Sequence, residues 1–363
     1  PKIVVEPYQT KTVNIELPKL ENDLSDYHLN VCAKEALGSD LIPVGHTIAY
    51  EQFELQKGRF ITKLEDSRND LESSTTDSIL TISNTNVKVE FNTKSGMITQ
   101  IDYGNGNILK KGITPNFWRA PTDNDFGFKM PNKLGVWKEA TKNQVLLGLN
   151  EAKEDHVVFV RVSYNLPAIQ DAKVELNYKI ASDGSIEVEI KLNNVKEKLP
   201  ILPRFGTNFI INDEFSNVKW LGRGPHENYQ DRKTSALVGQ YKAQVSDLYF
   251  PYSRPQENGY KTDTRWVTFL NQDGNGIKIT ALEHFSFSAH HQYNDDFDAG
   301  NTKQQRHTID VVKRDFVNIN IDKVQMGVGG DNSWGAMPHK KYQISPNNLS
   351  FKYRILKVEN NEK

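Results

Sequence analysis

Two polar loops of the sequence contain carboxylates that could act as an acid and base pair. The first, WLGRGPHENYQDR at residues 220–232, contains Glu227 and Arg232, and the second, FPYSRPQENGYKTDTR at 250–265, contains Glu257. Hydrolysis of a glycosidic bond uses two carboxyl groups, about 5 Å apart when configuration is retained and farther apart when it is inverted. The same carboxylates can instead brace loops by binding arginine and backbone N–H groups. We expect this bracing role for Glu227, Arg232 and Glu257.

A third stretch, MGVGGDNSWG at residues 326–335, presents a tryptophan in unusual surroundings. Three glycines and an Asp-Asn-Ser run lead directly into Trp334. Glycine permits positive φ and close backbone approach, and Asp, Asn and Ser favour turns, so the stretch predicts a loop that carries Trp334. The indole then either fills a hole in its own domain or offers its flat face to a ligand.

Two further polar stretches are predicted to be structural. In NFWRAPTDNDFG, at residues 116–127, the Asp and Asn side chains are expected to stabilise a turn through bonds to the backbone. AHHQYNDDFDAGN, at 289–301, contains two His and three Asp, but the spacing lacks the alternate oxygen ligands and later glutamate of a Ca²⁺ loop. We therefore predict a solvated loop there and no metal site in this chain.

The overall charge and composition exclude several classes of function. The chain has 45 Lys+Arg against 46 Asp+Glu and no basic block, which argues against nucleic-acid binding. The sequence pI near 6.9 gives no reason to expect a membrane surface, and no run of about 18 apolar residues could span a bilayer. The single cysteine, Cys32, excludes an internal disulfide but leaves the compartment open between cytoplasm and periplasm.

Alternation of apolar and polar residues with period two predicts an all-β protein with few, short helices. Clear examples are VNIEL at 13–17, YHLNVCA at 27–33 and a hairpin at 173–194 around Asp183-Gly184. Residues 1–56 contain too few strands for an independent sandwich, and 57–77 lack apolar period and predict a linker. Residues 78–363 continue without a second break in composition, which predicts one very large antiparallel sandwich.

Taken together, these stretches resemble a known family. FWRAPTDNDFG, LGRGPHENYQDR, YFPYSRPQENG with the following TRW, and MGVGGDNSW occur in the order and rough spacing seen in the C-terminal region of bacterial β-galactosidases of glycoside hydrolase family 2. The resemblance covers nearly the whole chain. It implies that residues 1–56 are the tail of an immunoglobulin-like domain and that 78–363 form a super-sandwich of the galactose-mutarotase-like type.

The resemblance also implies a division of labour. In the family, the nucleophile and acid/base glutamates lie on a TIM barrel, so no catalytic residue is expected in this chain. We expect the C-terminal portion of a retaining β-galactosidase acting on β-D-galactosides such as lactose, inactive on its own. Its partners would be the galactoside, the barrel portion of the same enzyme and further copies of the parent. The Mg and Na ions that such enzymes use are expected near the barrel, and no cofactor is assigned here.

Site residues follow from the same resemblance. A tryptophan at the position of Trp334 reaches over the barrel mouth and forms an apolar wall against which the sugar stacks. Asp331 and Ser333 are expected to fix the end of its glycine-rich loop. The segment Gly127, Phe128 and Lys129 is expected to border the active site as a lid loop, with Gly127 as its hinge.

Two other functions remain open from the sequence. The first is a stand-alone carbohydrate-binding module, which the sandwich architecture and the 10% aromatic content would suit. The second is a mutarotase-like epimerase that uses a histidine and a carboxylate, either His226 with Glu227 or His284 with Glu283. Only analogy of fold supports this second alternative.

Overall fold

The chain divides into two compact units, Pro1–Arg59 and Phe60–Lys363, which are described separately below. The computed structural model describes residues 3–21, 24–58, 69–170, 172–193, 195, 199–304, 306–332 and 334–360. All strand pairs in these residues are antiparallel, and helices are few and short, which confirms the all-β prediction.

The first unit contains one two-stranded ribbon in its described residues. Strands β1 (Tyr27–Lys34) and β2 (Thr47–Gln56) pair with each other, as the alternation in YHLNVCA predicts. The predicted strand at residues 13–17 is wrong, because this segment has no strand partner in the described residues. Alternation by itself does not satisfy backbone N–H and C=O groups, which need a neighbouring strand. The immunoglobulin-like origin of this unit stays a prediction.

The second unit begins with a small sheet that corrects the predicted linker. Its strands, in the order β3-β4-β5-β6, are β3 (Glu72–Thr76), β4 (Ile79–Ser83), β5 (Lys88–Asn92) and β6 (Ile98–Asp102). The linker predicted at 57–77 is therefore too long, since β3 lies inside it and pairs with β4. β3 is an edge strand with every residue exposed, so it shows no apolar period. Residues 59–68 of that prediction lie outside the described residues.

A large sheet forms the body of the second unit. Its strands in the described residues are β7 (Leu109–Asn116), β8 (Val145–Glu154), β9 (Val157–Leu166), β10 (Ala172–Ala181), β11 (Ile186–Asn193), β12 (Arg204–Asn212), β13 (Asn217–Gly224), β14 (Leu237–Gln244), β15 (Lys261–Leu270), β16 (Gly276–His290), β17 (Phe316–Gln325) and β18 (Leu349–Val358). One path runs β14-β13-β15-β16-β18-β11-β10-β9-β8. The sheet branches at β16, whose first part pairs with β18 and whose last part pairs with β17.

The branch of this sheet decides which chain segments meet. β12 lies between β7 and β17 and is antiparallel to both. Gly206 of β12 lies opposite Asn116 at the end of β7, and Arg204 lies opposite Gln325 at the end of β17. Because β7 and β17 both end beside the start of β12, the segments that follow them leave the sheet at the same edge.

The core sits between the sheet faces that carry alternate apolar side chains. In β9 and β10 every second residue is buried, including Val160, Tyr164 and Leu176. Full burial of such side chains contributes roughly 1.5–3 kcal/mol each. The predicted hairpin is present as β10 and β11, with Gly184 at φ 88° in its turn and Ser185 N–H donating to the Asp183 carboxylate.

Short helices connect some of the strands. In the described residues these are α1 (Asp123–Gly127), α2 (Met130–Leu134), α3 (Val136–Lys142) and α4 (Val245–Leu248). None of the helices in the described part of the chain is long and apolar enough to cross a membrane.

Candidate functional site

The indole of Trp334 stands in solvent at the end of its loop. Its side chain is 91% exposed, and its backbone N–H donates to Asn332 Oδ1 at 2.9 Å. It therefore does not fill a hole in its own domain. Exposure alone does not identify a site, since Ile309 is 88% exposed and single exposed apolar residues are common. The base of the Trp334 loop provides the stronger argument.

A buried ion pair holds the start of the Trp334 loop. Arg119, on the segment after β7, donates to the carbonyl oxygens of Met326 at 3.2 Å and Gly327 at 3.0 Å. The same guanidinium binds both oxygens of Asp125 at 2.8 and 3.0 Å. Burial raises the pKa of Asp125, and Arg119 opposes that effect. The guanidinium thus binds the Asp125 carboxylate and two loop carbonyls at once.

Asp125 also organises the helix that lies beside the loop. Its carboxylate accepts from the backbone N–H of Thr122 at 2.8 Å, and the Thr122 hydroxyl accepts from the backbone N–H of Asp125 at 3.4 Å. This reciprocal arrangement caps the N-terminus of α1. Asn124, on the same helix, donates its side-chain amide to Val328 O at 3.3 Å. The turn-forming Asp and Asn residues thus bind the Trp334 loop as well as their own helix.

A second carboxylate holds the glycine run from the other side. Asp231 accepts the backbone N–H of Val328 at 3.0 Å and that of Gly329 at 2.9 Å. The loop backbone lies close to this carboxylate: a Cβ added to Gly327 would be only 2.5 Å from Asp231 Oδ2. Asp231 is not among the site residues predicted from the sequence. The spacing in NYQDR gave no sign that this aspartate would meet a loop far along the chain.

The loop also touches the predicted lid segment. Gly335 has φ +119°, and a Cβ there would lie 2.8 Å from the carbonyl oxygen of Gly127. Phe128 is buried, and the residue with left-handed backbone is Lys129 at φ 63°, while Gly127 is the last residue of α1. The structure thus places Gly127 and Phe128 beside the tryptophan loop. Their role as a lid stays a prediction.

Glu227 and Arg232 lie together and are engaged with their surroundings. The Glu227 carboxylate accepts from Arg232 at 2.5 Å, from the backbone N–H of Gly259 at 2.8 Å and from the Tyr252 hydroxyl. The Arg232 guanidinium stands 5.1 Å from the centroid of the Tyr229 ring. Although burial opposes the charge, Tyr252 and Glu227 raise the pKa of Arg232. Glu227 therefore ties the loop at 220–232 to the loop at 250–265.

Glu257 belongs to a separate buried network. Its carboxylate accepts from Arg204 at 2.5 Å and from Gln325 at 2.8 Å, and Arg204 Nε lies 3.1 Å from Asp322. Burial raises the pKa of Asp322 to about 7, Arg204 opposes this shift and Glu257 reinforces it. Glu227 and Glu257 are thus each held by an arginine, the arrangement expected of carboxylates that brace loops.

Asp331 and Ser333 were both predicted to fix the end of the Trp334 loop, and the structure describes only the first of them. Asp331 accepts from His339 at 2.7 Å, but both side chains are exposed, so the contact is expected to contribute little. Ser333 lies outside the described residues, and its predicted role is untested.

The possible metal ligands at 289–301 bind other protein groups instead of one another. His290 bonds to Asn258 O, and Asp296 binds Arg314. Asp298 accepts from Lys138 at 2.6 Å and from the indole N–H of Trp118 at 2.8 Å. Across the residues that the structure describes, no group of three or more His, Cys, Asp or Glu side chains is arranged to hold a metal ion.

The carboxylates of the epimerase alternative have partners other than a catalytic histidine in the described part of the chain. His226 Nε2 lies 3.0 Å from Ser235 Oγ, whereas Glu227 is occupied by Arg232. Glu283 is exposed and pairs with Lys323 at 3.4 Å. Both carboxylates of the epimerase alternative are thus engaged by a basic side chain, Glu227 by Arg232 and Glu283 by Lys323.

Comparison with known proteins identifies relatives over most of the chain. The family model described as "Beta galactosidase small chain" matches residues 83–355. The chain is 32% identical over 337 residues to a β-galactosidase of Priestia megaterium, covering 93% of this chain and 32% of the relative. It is 31% identical over 369 residues to a β-galactosidase of Vibrio cholerae, covering 94% and 34%. The chain thus spans about a third of the length of these relatives.

Solved structures with a related arrangement were also found. One is a galactose mutarotase related enzyme from Lactobacillus acidophilus, with a TM-score of 0.41 and 9% identity over 78% of this chain and 99% of that chain. Another is a galactose 1-epimerase from Lactobacillus acidophilus NCFM, with a TM-score of 0.37 and 8% identity over 80% and 99%. Likeness at this level carries no argument about activity.

Proposed function

The chain belongs to the β-galactosidase small-chain family, and from that premise we propose that it is the C-terminal portion of a retaining β-galactosidase. In this proposal the nucleophile and the acid/base carboxyl group come from a TIM barrel outside these 363 residues. The chain contributes one wall of the pocket that receives a β-D-galactoside such as lactose.

The observation that carries the proposal is the exposed indole of Trp334 on a loop with a buried, ion-paired base. An aromatic ring offers a large, rigid, apolar surface with few rotatable bonds, which suits stacking against the C–H face of a sugar ring. Arg119 and Asp231 hold the loop backbone from two sides. The base of the loop is therefore held while the faces of the ring remain available to a ligand.

The chain's own chemistry is binding, orientation and exclusion of water. Retention needs one carboxyl group to attack the anomeric carbon and a second to protonate the leaving oxygen. Glu227 and Glu257 are occupied by Arg232 and Arg204, so we assign neither role to them. Purified chain alone is accordingly expected not to cleave a galactoside, and unaided hydrolysis would contradict this division of labour.

The test is Trp334→Ala in the complete enzyme. Loss of an aromatic stack is expected to cost about 1 to 3 kcal/mol of binding, so KM for lactose should rise roughly tenfold. The melting temperature should stay nearly unchanged because the side chain is exposed.

The matched control is Leu282→Ala, which truncates another exposed apolar residue, 73% exposed on β16. This variant should keep the original KM. An unchanged KM in Trp334→Ala would contradict the proposed stacking role.

A further inference from the structure

We propose that Asp231 is the positioning residue of Trp334, so that its carboxylate determines where the indole stands in the sugar pocket. The inference rests on the proposed function and extends it to a residue that makes no contact with the sugar. Asp231 acts through the backbone of the loop, by bridging two consecutive amide groups.

The geometry of this bridge is specific. One oxygen of Asp231 accepts from the N–H of Val328 at 3.0 Å, and the other accepts from the N–H of Gly329 at 2.9 Å. Hydrogen bonds to an ionised carboxylate are stronger than neutral ones, and two parallel bonds also fix direction. The backbone at Gly327 leaves no room for a side chain against Asp231, so the carboxylate and the loop are in close contact.

Asp231 itself is firmly held. The backbone groups of Tyr229 and Arg232 bond to each other across it, with N···O distances of 3.1 Å and 2.9 Å. Tyr229 is buried, and its ring stacks on that of Tyr260 with centroids 5.6 Å apart. The carboxylate is therefore presented to the loop from a turn that is anchored in the core.

Beyond Gly329 the support of the loop weakens. In the described residues its side-chain hydrogen bonds there are the exposed contact of Asp331 with His339 and the local contact of Asn332 with the N–H of Trp334. Gly330 adds a close backbone approach to Ala336. Asp231 is thus the charged group that holds the loop backbone nearest to the exposed segment.

The experiment uses Asp231→Asn, alone and together with Trp334→Ala, in the complete enzyme. The asparagine keeps the size of the side chain but replaces one acceptor oxygen with an NH₂ group, which cannot accept the second amide N–H. We expect KM for lactose to rise about fivefold with a smaller change in kcat. In the Trp334→Ala background the same substitution should cause no further rise in KM.

A matched control is Asp102→Asn. Asp102 also accepts two backbone N–H groups of a glycine-containing loop, those of Gly104 at 2.7 Å and Gly106 at 2.9 Å. The substitution removes the same charge from a loop that does not carry the tryptophan, although both N–H groups there bind one oxygen, Oδ1. KM should be unchanged in this variant.

A second readout does not depend on catalysis. The fluorescence of Trp334 is obtained as the difference between the chain and its Trp334→Phe variant, and its anisotropy reports how freely the indole moves. Asp231→Asn should lower this anisotropy, and Asp102→Asn should not. The same measurement on Asp231→Ser repeats the test if the asparagine variant folds poorly.

The outcomes separate the two proposals. A rise in KM that is equally large with and without Trp334, or an unchanged anisotropy, would overturn the positioning role of Asp231. If Trp334→Ala leaves KM unchanged, the proposed function fails, and the anisotropy alone still decides whether Asp231 holds the indole.

Discussion

The buried network around Arg204 contains one cation and two carboxylates. Arg204 and Asp322 are fully buried, and Glu257 is nearly so. One guanidinium cannot compensate two ionised carboxylates at low dielectric, so one of them is expected to keep its proton. Burial raises the pKa of Asp322 to about 7, against the influence of Arg204 and with that of Glu257.

This shift predicts how stability depends on pH. The folded protein holds the Asp322 proton more tightly than the unfolded chain does. In the unfolded chain the pKa of an aspartate is about 3.9. The stabilisation is therefore complete below about pH 4 and is lost as pH rises through about 7. Relative to Asp322→Asn, the protein should lose roughly 4 kcal/mol of unfolding free energy across this window. Urea denaturation of both proteins at several pH values measures these free energies of unfolding.

The control for this prediction is Asp295→Asn, at a carboxylate that is 63% exposed and paired with Lys142. That variant should follow the pH dependence of the unchanged protein. If Asp322→Asn also follows it, the pKa of Asp322 is the same in the folded and unfolded chain, and the prediction is wrong.

The sequence predicted the structural setting of some residues and not of others. Trp334 was placed on a loop correctly, because glycine and Asp-Asn-Ser runs act locally on the backbone. The sequence did not reveal Arg204, the first residue of β12, or Asp322 on β17, because they meet only through the pairing of these two strands. A charged residue at an inward position of a strand was the available signal, because such residues are buried only when paired.

The site is assembled by the ends of β7 and β17 on either side of β12. The segments that follow these strands bring Arg119 to Met326 and Gly327, although they are far apart in sequence. Alternation of apolar and polar residues predicted several of the strands but not which strands pair. A period of two residues shows which face of a strand is buried, and it carries no information about the neighbouring strand. The meeting of these loops could not be predicted from the sequence.

The contact between the Trp334 loop and α1 can be tested at Gly335. Alanine there would be strained at φ +119° and would clash with Gly127 O, so the loop must shift. We expect Gly335→Ala to raise KM for lactose severalfold with little change in melting temperature. Steady-state kinetics of the complete enzyme measure the effect.

Gly104→Ala is the matched control for this substitution. Gly104 has a similar φ of +99°, but a Cβ there meets nothing within 4 Å. It tests backbone strain without displacing the Trp334 loop. Equal KM values in the two alanine variants would show that the approach of Gly335 to Gly127 does not position the loop.

The two units differ in how completely their strands are paired. In the described residues β1 and β2 pair only with each other, and most of their side chains are exposed. β10 and β11 instead lie between β9 and β18 in the large sheet. An isolated two-stranded ribbon is marginally stable in water, whereas a flanked hairpin opens only with its sheet.

Hydrogen exchange should reflect this difference. We expect backbone amides of β1 and β2 to exchange at least about a hundredfold faster than those of β10 and β11 in the purified chain. Mass spectrometry of peptides from the two hairpins measures the rates in one sample. Equal protection would mean that the ribbon is covered by other protein surface in solution.

The exposure of Trp334 has a consequence for how this loop can change over time. Its ring contributes almost nothing to the packing of its own sandwich, so replacing it should leave the scaffold intact. In the proposed function, selection could therefore exchange the group that faces the sugar by a single codon, without a compensating change in the interior.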